Sequence, residues 1–95
     1  MMKINVKHIK ENNTDGYCEF ISMDGTKGHV ILHHVTGLLI DKRTNELHII
    51  DFNHDIPLIR IAEITINVTP FFDHFYDGLS IDEAGDYITI KLKKK

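Results

Sequence analysis

Seven histidines are many for a chain of 95 residues, and they are the first candidates for chemistry in this sequence. Metal binding from a strand needs ligands on one face, so it asks for i, i+2 spacing or a cross-strand pair. His8, His29, His33, His34, His48, His54 and His74 include no i, i+2 pair. His33 and His34 are adjacent and would point to opposite faces of a strand. His29 and His33 would stand about 13 Å apart along one. His33 and His54 are the pair that can meet, across a hairpin, with about 5 Å between Cβ atoms. Catalytic zinc takes three protein ligands, and no third is in register. His33 and His54 are thus the candidates for a metal-dependent enzyme. The pattern as a whole favours polar residues at a sheet end, with no metal or other cofactor.

Cys18 beside a histidine would have the makings of a nucleophile, but its strand pattern fits a small, half-buried hydrophobe. His54-Asp55 resembles the HD dipeptide of metal phosphohydrolases in letters only: that family is helical, and this segment lies between strands. P-loop, GxSxG, HExxH and CxxC patterns are absent. The sequence therefore points away from an enzyme.

Charge distribution says more. Residues 61–90 hold six acids (Glu63, Asp73, Asp77, Asp82, Glu83 and Asp86) and no lysine or arginine. The same stretch holds Phe71, Phe72, Phe75, Tyr76 and Tyr87. Aromatic residues are favoured at interface centres. Thr69-Pro70 is a good helix start, and FFDHFYDG reads as about two turns stopped at Gly78. Phe71 and Phe75 share one stripe of that helix, and Phe72 and Tyr76 share the next. The expectation is that Phe71 and Phe75 face the sheet. Phe72 and Tyr76, flanked by Asp73 and Asp77, would then form a partner-binding surface. The plainer alternative is that all four rings plug the open end of a barrel.

The elements that position these residues are mostly strands. Lys3 to Ile9 and Tyr17 to Met23 are two candidates, and Asp86 to Leu92 is the cleanest, with Ile88, Ile90 and Leu92 inward. Val35 to Ile40 and Leu47 to Phe52 flank the polar DKRTNE, a hairpin signal in which the asparagine tolerates a left-handed backbone. Asp41 facing Glu46 sets Leu39 against His48, Gly37 against Ile50 and His33 against His54. Both hairpin faces are apolar near the turn, so both should be covered there. Leu58 to Val68 is the longest strand candidate. Its apolar phase slips at Ala62-Glu63, as at a β-bulge. EAGD reads as a turn. The expected fold is mainly β with one short helix: a strongly bent antiparallel sheet or small β-barrel of five to six strands. The hairpin has a glycine, an aspartate and an asparagine in the order used by Sm-like barrels. However, the gap from Gly37 to Asp41 is too short for that pattern, and no helix precedes the first strand.

Ninety-five residues fit one domain, and the formal charge of −3 with a pI near 6.1 disfavours electrostatic binding of nucleic acid. A single cysteine excludes an internal disulfide and suits a reducing, cytoplasmic compartment. No signal peptide is legible, and no apolar run approaches a membrane span. Abundant isoleucine, lysine and asparagine match AT-rich coding, as in a low-GC bacterium or its phage. The favoured function is a small cytosolic, non-enzymatic binding module, a regulator or inhibitor contacting another protein or a second copy of itself. The first alternative is a small barrel binding RNA or DNA through Lys91, Lys93, Lys94 and Lys95 with Tyr17 and Tyr87. The second is the histidine metalloenzyme.

Overall fold

The computed structural model describes residues 3–10, 15–32, 35–50 and 59–95. These residues form strands β1 (Lys3–His8), β2 (Tyr17–Ser22), β3 (Lys27–Ile31), β4 (Gly37–Asp41), β5 (Glu46–Ile50) and β6 (Ile59–Val68). Helix α1 (Pro70–Phe75), β7 (Tyr76–Ala84) and β8 (Tyr87–Lys94) follow. The eight strands belong to one sheet in the order β3-β2-β6-β5-β4-β8-β7, with β1 added beside β6. Every pairing is antiparallel except β1 with β6. The sheet does not close into a barrel.

The central hairpin has the expected register: Asp41 pairs with Glu46, Leu39 with His48 and Gly37 with Ile50. Asn45 takes the left-handed backbone, with φ 62°. Its carbonyl accepts from the Ile61 N–H at 2.8 Å, which ties the turn to β6.

Strand β6 joins the two halves of the sheet. Ile21 pairs with Glu63 but Ser22 pairs with Ile61, so Ala62 is the extra residue of a β-bulge. This is why the apolar phase changes from Ile59 and Ile61 to Ile64, Ile66 and Val68. β2 occupies one edge of β6. The other edge is shared, with β5 against Ile59 and Arg60 and β1 against residues 63–68. One half is therefore β1-β6-β2-β3 and the other β5-β4-β8-β7. Their inner faces contribute to a single core that includes Phe20, Ile64 and Ile66 from the first and Leu38, Ile40, Leu47, Ile88 and Ile90 from the second. Gly28 pairs with Phe20 across β2 and β3, and a Cβ at Gly28 would lie 2.5 Å from the Phe20 ring, so the ring packs over a position that only glycine leaves open.

Four expectations change. The described residues form eight strands, where five or six were expected. Residues 76–78, expected to continue the helix, and residues 83–84, expected in the EAGD turn, belong instead to β7, a long edge strand whose serine, glycine and acids dilute the usual β-composition. It is held by pairing with β8 and by the tight turn at Gly85-Asp86, where Gly85 has φ 59°. The helix ends at Phe75, and Gly78, with φ 101°, lies at a register shift in β7 and does not cap α1. On the outer face of the central hairpin, Leu39, His48 and Ile50 are only half-buried, so the two-sided coverage expected there is partial.

Candidate functional site

Thr69 decides which way the helix rings point. It follows β6 directly and is fully buried, and its Oγ1 accepts from the Phe72 N–H at 3.2 Å as the N-cap of α1. Pro70 at the first helical position faces out. This entry turns Phe72 back over the core, where it is 2% exposed. Its ring lies against Gly16, at which a Cβ would come within 2.9 Å of Phe72 Cδ2. Tyr76 is no longer helical (φ −127°, ψ 145°), so the pleat of β7 directs its side chain inward. It is 3% exposed and stacks on Phe72, with ring centroids 4.4 Å apart and planes 11° apart. Burial, with a smaller effect from Asp15, holds its hydroxyl pKa above the ordinary value.

The expected contact stripe of Phe72 and Tyr76 is thus core. The exposed rings are Phe71 and Phe75, at 39% and 42%. Their centroids are 5.0 Å apart in a tilted arrangement, and His74 meets Phe75 edge-on at 5.0 Å. Asp73 and Asp77 are both exposed. Asp73 lies about 200° round the helix from Phe71, on the side of α1 away from the Phe71–Phe75 pair, so the exposed rings are not those the two acids were expected to flank.

The lysines do not form a loose tail. Strand β8 continues to Lys94, which pairs with Tyr76, and the Lys95 N–H donates to the Phe75 carbonyl at 3.1 Å. Lys91 and Lys93 share the strand phase of Tyr87, whereas Tyr17 lies on β2, separated from β8 in the sheet by β6, β5 and β4. The six residues expected to bind nucleic acid are therefore not gathered on neighbouring strands. Around Tyr17 the outer face carries mixed charge, with Glu19 accepting from Asn67 at 3.0 Å and Glu63 accepting from Asn5 at 2.9 Å.

His33 and His54 lie outside the described residues, as does Asp55. Among the described residues, no group of three or more His, Cys, Asp or Glu is placed to hold a metal ion. Cys18 is fully buried, and burial with the nearby Glu19 charge pushes its thiol up to about 12. That is the environment of an inert packing residue.

One ordered polar cluster was not expected from the sequence. Arg43 grips Asp41 in two parallel hydrogen bonds, Nε to Oδ1 at 3.1 Å and Nη2 to Oδ2 at 3.0 Å. Its backbone N–H also donates to Asp41 Oδ1, at 2.9 Å. The guanidinium lies 5.7 Å from the Tyr87 ring centroid and 3.7 Å from Asp86. Its hydrogen bonds to Asp41 hold that carboxyl below the usual carboxylate range. These contacts lock the central turn to the β7–β8 turn and leave the guanidinium engaged. The sequence signal was the Asp41-x-Arg43 spacing at the turn, where an aspartate accepts from the N–H two residues on.

Comparison with known protein families, characterised proteins and solved structures finds no match. No helix among the described residues is long and apolar enough to cross a membrane.

Proposed function

We propose that this chain is a cytoplasmic, non-enzymatic module that binds another protein through the outer side of α1. The observation that carries the reading is the exposed Phe71–Phe75 pair, rings in contact, with His74 edge-on to Phe75. Two adjacent exposed rings on a six-residue helix place apolar area where a monomer gains little from it, and aromatic anchors dominate binding energy at interfaces. Residues 61–90 hold six acids and no lysine or arginine, which suits a partner with an apolar centre and a basic rim, because complementary charge governs encounter and excludes like-charged partners. The buried cysteine accords with a reducing compartment.

Immobilised peptides that alternate leucine with lysine, matched peptides that alternate leucine with glutamate, and single-stranded RNA provide the test. The lysine peptides should be retained and the glutamate peptides and RNA should not. Phe71→Ser with Phe75→Ser should weaken retention at least about tenfold, the scale of a modest hot spot. Preference for RNA, or retention indifferent to both substitutions in a folded variant, would reject the reading.

A further inference from the structure

Two open strand edges of this sheet carry opposite charge. β7 pairs only with β8, and β1 pairs only with β6, among the described residues. Edge strands expose unpaired backbone groups and are normally blunted by charge. Here β7 carries Asp77, Asp82 and Glu83, all exposed, and β1 carries exposed Lys3 and Lys7. Each strand also leaves an apolar side chain uncovered in its inward phase, Ile81 at 41% and Val6 at 42%. Beside them in the same phases lie Leu79 and Ile4, both half-buried.

We propose that the chain associates head to tail with a second copy of itself, the β7 edge of one protomer pairing with the β1 edge of the next. A parallel register that sets Ile4 beside Leu79 and Val6 beside Ile81 also sets Lys7 beside Asp82 and His8 beside Glu83. An antiparallel register that sets Ile4 beside Ile81 and Val6 beside Leu79 brings Lys3 to Asp82 and His8 to Asp77. Either register matches apolar with apolar and base with acid. Self-pairing of like edges does the reverse. Two β1 strands with Ile4 against Val6 place Lys3 opposite Lys7, and two β7 strands with Ile81 against Leu79 place Glu83 opposite Asp77. Like charges directly opposite destabilise a strand pair. In these registers the edge charges disfavour symmetric pairing and favour the heterologous contact, which produces rings or open chains of copies. β3 is the other basic edge, with Lys27, but its inward phase holds Gly28 and one half-buried apolar residue, Val30, where β1 holds Ile4 and the exposed Val6.

This association does not depend on Phe71 or Phe75, so it stands or falls apart from the partner-binding reading. Sedimentation between about 10 μM and about 500 μM, at about 20 mM and about 500 mM salt, tests it. At low salt the mean mass should rise about twofold or more above the 11.0 kDa protomer, and high salt should reverse the rise. The Lys3→Glu, Lys7→Glu variant and the Asp82→Lys, Glu83→Lys variant should each stay monomeric, because each has two edges of one sign. A mixture of the two should associate again. Circular dichroism checks that each is folded, and if one is not, the other alone carries the comparison with the parent chain. A protomer mass at every concentration in low salt would overturn the proposal. So would association that survives both charge reversals or that is abolished by Phe71→Ser.

Discussion

Phe72→Ala and Phe71→Ala should differ sharply in cost, although the two residues are adjacent and chemically the same. Phe72 is 2% exposed, stacks on Tyr76 at 4.4 Å and rests on Gly16. An aromatic side chain buries about 150–250 Å², which at about 25 cal/mol per Å² is about 4–6 kcal/mol as an upper bound. Measured Phe→Ala losses in cores run at about 3–5 kcal/mol, and the lower figure applies if Tyr76 relaxes into the space. Phe71, at 39% exposure, gives up only about three-fifths of its area and leaves no enclosed cavity, so the same upper bound is about 2–4 kcal/mol and carries no cavity contribution. The gap of about 2 kcal/mol or more corresponds to about 8–16 °C in Tm for a domain of this size. Gly16→Ala approaches the same ring from the other side: the added methyl would lie 2.9 Å from Phe72 Cδ2, an overpacking cost of about 1–3 kcal/mol. Thermal and urea unfolding of dilute, monomeric protein would measure all three. Equal losses for Phe71 and Phe72, or a larger loss for Phe71, would refute the assignment of inner and outer rings and remove the aromatic docking surface with it.

Three further outcomes follow from local geometry. The Asp41–Arg43 contact lowers the folded pKa of Asp41, so its stabilisation is complete above the unfolded value of about 3.9 and fades as pH falls through the folded one. The stability gap between the parent chain and Asp41→Asn, measured by urea unfolding, should thus be flat above about pH 5 and close below about pH 4; a gap that widens in acid would contradict it. Cys18, with its thiol pushed up to about 12 from 9.0, should hold about a thousandfold less thiolate at pH 8 than an exposed cysteine, so a thiol-specific chromogenic disulfide should label it only on unfolding. Fast labelling of native protein would place Cys18 outside the core. Asn45, at φ 62°, should accept glycine with little change, whereas Asn45→Val should cost about 1–2 kcal/mol in the same unfolding assay, and equal stability of the two variants would count against the left-handed turn.

Much of the strand framework was legible because its determinants are local. The Asp41–Glu46 pairing follows from two apolar runs and a turn with one residue suited to the left-handed region. The break at Ala62 was visible because isoleucines label the phase on either side of it. Ile88 and Ile90 could be assigned inward because β8 is flanked by β4 and β7 and keeps one face in the core, so burial alternates along it. The parallel pairing of β1 with β6 was not legible, since a match between residues about sixty positions apart leaves no local mark.

The missed assignments share a cause: each concerns a place where one local period gives way to another. Periodicity orders the rings within α1 but does not fix the rotation of the helix relative to the strand before it. That rotation is set by one hydrogen bond, from the Phe72 N–H to Thr69 Oγ1, made by a fully buried threonine at the junction of β6 and α1. The helical stripe of Phe72 and Tyr76 also presumes that Tyr76 is helical, whereas it is the first residue of β7. Its partnership with Phe72 comes from a change of period at Phe75 and not from continued helix. β7 was hidden for a related reason. An edge strand needs apolar residues only where it overlies the core, and Asp77, Ser80, Asp82 and Glu83 occupy positions that solvent reaches on at least one side. The acids that erase the strand signal are also those that set the charge of its open edge. A residue pattern that reads locally as a turn can therefore be, in three dimensions, the part of the sheet best suited to meet another chain.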